Sequence, residues 1–406
     1  MRGSKTDYKN VGRDIIMFIG NRDAQMLIQK LQKRSANLPN FSFEFSEVNG
    51  ELRSLFWADG VAKVNYNAFG DVLAFDATYS TNKYNMIFVP FTGVDHHKKC
   101  ATFGAGLIYS ETVESYTWLL NCFLKAHKKQ LTLVLTDQDP SMKQAVSCVF
   151  HESLHRLCMW HIMKKLPSKI SGNLYDNTNI RASIHKLVWN IYIKPSTFEE
   201  RWQRLMIEFN LTEHVWLNDM YAMRASWVPA YFREIPLCCL MKTTSRCESS
   251  NAQFKVNSSA TNTLVQFLLC FDSAIDQQRY NQRVIEHKTN TTIRDFRTGL
   301  AIEKHASDVY TQTIFSEVQK EIVKGMMFCF IISVEVMEGM KIFTVAHTDK
   351  RSDIVNEFKV KLHLEDNAGV SFLKKSGSSF NAMKLHSSCV LSMIEISAYF
   401  KSKVIR

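Results

Sequence analysis

Apolar positions in the first part of the chain, Ile15, Ile16, Ile19, Met26, Leu27, Ile28 and Leu31, recur at mixed spacings of three and four. That is the period of one helix face, so the sequence predicts a helical arm there. Asn37-Leu38-Pro39-Asn40 ends it, because proline restricts the residue before it and asparagine favours turns. Residues 41–45 then alternate like a short strand, and 52–57 do so more weakly. From Asp71 the pattern changes to short apolar runs at 72–79, 86–94 and 101–109, each bounded by polar residues or glycine. Three successive strands with tight connections follow from that pattern. Tyr116, Trp118, Leu119, Leu120 and Phe123 predict a helix over 113–126, and 131–135 is a further apolar strand. A helix begins at Pro140, a short strand covers 156–159, and a helix starting at His161 ends near Pro167. A mixed sheet flanked by helices, an α/β layer architecture, is the fold class this order implies.

Residues 171–242 are rich in Trp, Phe, Leu and charged residues and read as one helical insertion, with helices at 184–193 and 198–209. A strong helix follows over 263–283, and 326–345 reads as two strands joined by Glu338-Gly339. The expected organisation is therefore an N-terminal helical arm (1–65), an α/β core with the insertion (66–260), a helical region (261–325) and a small α+β region (326–406).

Composition narrows the class of protein. Hydrophobic residues make up 46% of the 406 and charged residues 22%, ordinary values for a globular chain long enough for more than one core. No run approaches the roughly 18 consecutive apolar residues of a membrane helix, and the first residues, Met1-Arg2-Gly3-Ser4-Lys5, do not resemble a secretory signal. No membrane partner and no small-molecule substrate are expected. The ten cysteines are scattered without the dense spacing of a disulfide scaffold and read as reduced thiols. Net charge is +11 with a pI near 9.1, which raises the local concentration of a polyanion such as DNA.

Three carboxylates stand out as candidate chemistry. Asp76 lies in the otherwise apolar Ala74-Phe75-Asp76-Ala77-Thr78-Tyr79, where an uncompensated buried charge is costly; it is either a metal ligand or a strand-end aspartate bonded to Thr78 or backbone. Asp137 follows the apolar Leu133-Val134-Leu135-Thr136, at the strand end where α/β sheets present ligands, although an ordinary turn aspartate fits equally. Asp139 immediately precedes Pro140 and reads as a helix N-cap. Glu248 is either the fourth residue of a capping box opened by Ser245 or an acidic ligand borne by a helix. Asp76, Asp137 and Glu248 together could hold two divalent ions, with Mg²⁺ the natural choice for carboxylate oxygens, and support phosphodiester transfer. Cys158 and His161, in Cys158-Met159-Trp160-His161, form half of a zinc site that Cys148, His151 or His155 could complete, or a buried structural pair.

The strings Leu55-Phe56-Trp57-Ala58-Asp59, Phe69-Gly70-Asp71-Val72, Phe75-Asp76-Ala77-Thr78-Tyr79, Thr81-Asn82-Lys83-Tyr84-Asn85-Met86 and Gly93-Val94-Asp95-His96-His97 resemble the far-red-impaired-response-related family of plants. Thr136-Asp137-Gln138-Asp139, Cys158-Met159-Trp160-His161 and Glu248-Ser249 continue the match in order. The resemblance implies a ribonuclease-H-like core derived from Mutator-like transposases, with an acidic triad at Asp76, Asp137 and Glu248 and a Cys-x-x-His signature at Cys158 and His161. It also implies a nuclear, DNA-binding transcription regulator of far-red light signalling that pairs with itself or with relatives. The family's SWIM-type zinc finger is degenerate or absent in 326–406, which has no Cys-x-Cys and no Cys-x-His, with His363, His386 and Cys389 toward its end. Two other readings stay open: a Mg-dependent transposase or nuclease that still cuts, and an interaction-only modulator.

Overall fold

Two parallel and four antiparallel pairings build the central sheet of the computed structural model, which describes residues 22–170, 179–190, 193–232, 254, 258–337, 340–349 and 352–363. In chain order the first elements are α1 (Asp23–Asn37), β1 (Ser42–Val48), β2 (Glu51–Ala58), α2 (Gly60–Phe69), β3 (Val72–Phe75), β4 (Ile87–Val94) and β5 (Cys100–Ile108). There follow α3 (Val113–His127), β6 (Leu133–Thr136), α4 (Pro140–Val149), β7 (Leu154–Leu157) and α5 (Met159–Lys169). The seven strands lie in the order β1-β2-β5-β4-β3-β6-β7. β4 runs antiparallel to both of its neighbours, β3 and β5, whereas β3, β6 and β7 are mutually parallel. Three antiparallel strands followed by two parallel ones is the ribonuclease-H-like arrangement, here extended at one edge by the β1–β2 hairpin.

Alternation along the strands supplies both faces with apolar side chains. Phe56, Val89, Phe91 and Phe103 face α2, α3 and α4 through Tyr66, Tyr116, Leu119, Phe123, Met142 and Val146. Leu55, Trp57, Phe88 and Leu107 face the other way, against Leu27 and Leu31 of α1 and Phe267, Leu268, Phe271 and Ile275 of α9 (Leu264–Thr291). Within β5 the pairing jumps from Phe91↔Gly104 to Thr92↔Thr102, so Phe103 is bulged. That extra residue is why Phe103 and Leu107, both odd-numbered, serve opposite faces.

The chain divides into two compact units, Met1–Asp95, Lys99–Leu166 and Thr243–Arg283 forming the first and His96–Lys98, Pro167–Lys242 and Val284–Arg406 the second. In the second lie α6 (Ile180–Val188), α7 (Pro195–Glu208), α8 (Val215–Ala222), α10 (Ala301–Val309) and α11 (Gln312–Phe328). A separate three-stranded antiparallel sheet, β8 (Cys329–Met337), β9 (Met340–Asp349) and β10 (Ser352–His363), completes it. Among the described residues no helix is long and apolar enough to cross a membrane.

Several sequence expectations shift. Within the expected 1–65 arm, Asp23–Asn37 is helical, while β1 pairs with β2 and β2 with β5, making residues 42–58 the edge of the main sheet. The strand expected over 72–79 stops at Phe75, with only an isolated bridge at Thr78↔Phe88 beyond it. The helix expected from His161 to Pro167 begins at Met159 and reaches Lys169; so close to the end, Pro167 deletes one backbone bond without breaking the helix. Met326, Met327 and Phe328, read as strand, close α11. Residues 15–19 of the expected arm lie outside the described residues.

Candidate functional site

β3 and β6 are parallel neighbours, with Val72 opposite Leu133, Leu73 opposite Val134 and Ala74 opposite Leu135. Both strands end within two residues of that register, at Phe75 and Thr136. The next residue of each is an aspartate, so Asp76 and Asp137 emerge at the same level of the same sheet edge. Thr136 is opposite Leu157 in β7, which puts Cys158 at that level too, and the Cys158 amide donates to the Thr136 carbonyl at 2.7 Å. α5 begins one residue later, and its first turn carries His161 over the carboxylates. Nε2 of His161 lies 3.4 Å from Oδ2 of Asp76, and Nδ1 lies 3.8 Å from Oδ1 of Asp137.

One helical turn further on, Lys165 shares that face of α5. Its ammonium donates to Oε1 of Gln138 at 3.1 Å and stands 3.8 Å from Oδ1 of Asp137. Asp139 plays the capping role read from the sequence: its Oδ1 accepts from the Met142 amide at 2.7 Å, with Pro140 at the first helical position. At the flank of the site, Glu111 accepts from the Tyr79 hydroxyl at 2.6 Å and from Tyr116 at 2.8 Å. Burial, reinforced by the Glu111 hydrogen bond and charge, pushes both phenols above their ordinary range, so they remain protonated donors.

The residues fit a divalent cation. Asp76, Asp137 and His161 each offer a ligand atom, all within 4.8 Å of one another. Oδ1 of Asp137 is buried and accepts no hydrogen bond among the described residues. Two carboxylates suit a hard cation, while the imidazole draws the set toward Mn²⁺ or Zn²⁺. Glu248, the third expected carboxylate, lies outside the described residues. His161 therefore groups with the aspartates; Cys158, buried at the strand end, is not in that cluster, nor are Cys148, His151 or His155. His155 instead meets the Thr136 hydroxyl through Nε2 at 2.7 Å. Sequence reasoning singled out Asp76, Asp137 and His161 but separated them into two sites, and it missed Lys165. The usable signal was the i, i+4 spacing of His161 and Lys165 after a strand that ends level with Asp137.

Residues 72–165 match the model of the MULE transposase domain, a segment that opens on the first residue of β3 and closes on Lys165. The chain is similar to Protein FAR1-RELATED SEQUENCE 5 of Arabidopsis thaliana, 30% identical over 377 residues that cover 92% of this chain and 45% of that protein. It is 32% identical over 296 residues to Protein FAR1-RELATED SEQUENCE 6, covering 72% of this chain and 41% of that relative. To Protein FAR-RED IMPAIRED RESPONSE 1 it is 27% identical over 335 residues, with 82% and 40% covered. The chain thus spans less than half the length of these relatives.

Proposed function

From a chain that carries a MULE transposase domain and whose homologues are the FAR1 and FAR1-related proteins of Arabidopsis, we propose a transposase-derived transcription regulator that holds DNA without cutting it. On this reading it acts in the nucleus, in far-red-light-controlled plant development, and pairs with itself or with relatives. The observation that carries the non-cutting part is the Lys165 ammonium beside the acidic pair. His161 lies between Asp76 and Asp137, and the Lys165 ammonium stands 3.8 Å from Asp137 Oδ1. A cleaving ribonuclease-H-like site needs that counter-charge as metal, which polarises the phosphate and activates the attacking hydroxyl. A fixed ammonium beside Asp137 opposes cation entry by ordinary electrostatics. The net charge of +11 supports DNA as the partner.

Fluorescence anisotropy with a labelled DNA duplex tests the reading. Log affinity should fall linearly with log salt concentration, the mark of phosphate contacts releasing counterions. Absence of binding at low salt would discard DNA holding and leave the interaction-only modulator.

A Mg-dependent transposase or nuclease is the second reading, and one observation favours it. Asp76 and Asp137 share the sheet edge at which acidic ligands can converge on one cation, and Glu248 could supply the third carboxylate.

A further inference from the structure

A second cluster lies apart from the acidic pair, wholly within the second unit. His96 and His97 sit in the turn after β4, and Glu286 is in the last part of α9. Nε2 of His96 lies 2.9 Å from Oε2 of Glu286, and Nε2 of His97 lies 2.6 Å from the same oxygen. Successive side chains of an extended chain point to opposite sides. Here the turn, with Lys98 at φ +59°, brings both rings to one point, their centroids 4.1 Å apart. The turn is itself anchored: the Thr311 hydroxyl donates to the His96 carbonyl at 2.8 Å, and Lys98 pairs with Glu317.

We propose that His96, His97 and Glu286 form a transition-metal site, with Zn²⁺ the ion their chemistry prefers. Two imidazole nitrogens and one carboxylate are a zinc-type donor set, whereas Mg²⁺ and Ca²⁺ call for oxygen ligands throughout. All three donor atoms already lie within 4.8 Å of one another. Bonds of roughly 2.0–2.1 Å in tetrahedral geometry set ligand atoms about 3.3 Å apart, so Glu286 needs to withdraw by only a few tenths of an ångström. The site is both held and reachable: the His97 side chain is 0% exposed, while those of His96 and Glu286 are 40% and 45% exposed. Three protein ligands leave a fourth position for water. The ion would fasten the 96–98 turn to the C-terminal part of α9.

The test is metal retention by the full chain. Protein stripped with a chelator is reloaded with Zn²⁺, gel-filtered and analysed for metal. Parallel Co²⁺ titrations are followed by the visible absorption of a tetrahedral site free of thiolate. Wild type and an Asp76→Asn/Asp137→Asn double variant should each retain one equivalent at this site. His96→Ala and Glu286→Gln should each weaken binding at least tenfold, with far-UV circular dichroism confirming the fold. Both altered side chains are substantially exposed, and Glu286→Gln decides alone if His96→Ala does not fold. Wild type that retains no metal would overturn the proposal. So would unaltered retention by Glu286→Gln, or loss of all metal in the double aspartate variant.

Discussion

Asp76 and Asp137 are adjacent because one parallel register, Ala74 opposite Leu135, ends both strands just before them, with His161 spanning the pair from α5. If Lys165 supplies counter-charge to Asp137, its removal should favour a cation. Lys165→Met is expected to tighten Mn²⁺ binding at the pair by roughly five- to tenfold, about 1 kcal/mol for a partly exposed ion pair at 3.8 Å. Electron paramagnetic resonance of free Mn²⁺ reads this directly. An unchanged affinity would show that Lys165 does not compete for the site.

Asp23 is fully buried although it opens α1, and its carboxylate caps a helix far away in sequence. Oδ2 accepts from the Leu264 amide at 2.6 Å and Oδ1 from the Val265 amide at 3.1 Å. Two of the four unsatisfied amides at the start of α9 are met this way. Asp23→Ala should cost on the order of 2–3 kcal/mol in urea unfolding, with Asp23→Asn intermediate, since a buried donor is left without its charged acceptor. A loss below about 0.5 kcal/mol would rule out the cap as a determinant of stability.

Burial holds His127 and His155 down to about 4, with Lys63 and Lys143 respectively adding to the effect. In the unfolded chain both revert to near 6.5. Between these values the unfolded state binds protons that the folded state refuses. Their stabilising contribution is therefore complete above about pH 6.5 and is lost as pH falls toward 4, by at most on the order of 3 kcal/mol for each. His127 packs between the Tyr66 and Phe123 rings, at 4.4 and 4.3 Å, so phenylalanine can take its place. The drop in melting temperature between pH 7 and pH 5 should be smaller for His127→Phe than for wild type; equal drops would remove His127 from the acid sensitivity.

Gly106 marks where α3 meets the sheet. A Cβ there would lie 2.3 Å from Leu119 Cδ1, and Leu119 is fully buried. Gly106→Ala should destabilise the protein by about 1–3 kcal/mol through overpacking. Leu119→Ala in the same chain should recover part of that loss, and a purely additive double variant would argue against direct contact.

The sheet was legible because β4, β5 and β6 are short apolar runs with polar ends, and Asp139-Pro140 announced α4 by its cap. β7 was less so: Leu154-His155-Arg156-Leu157 mixes polar and apolar residues, and the true strand precedes the predicted one by two residues. The edge role of β1 and β2 and the joining of His161 to the aspartates depend on pairings between residues far apart in sequence, which local periodicity does not contain. Met326 to Phe328 were misread because a short apolar run suits a strand or the last turn of a helix, and α11 claims it.

Whether the acidic pair cuts DNA is decided by one experiment. The direct measurement is nicking of supercoiled plasmid by purified protein in Mg²⁺ or Mn²⁺, alongside Asp137→Asn, with DNA binding followed in parallel. Salt-sensitive binding with no nicking by either protein is the expected result. Metal-dependent nicking by wild type that disappears in Asp137→Asn would contradict a non-cutting site and establish a working transposase core.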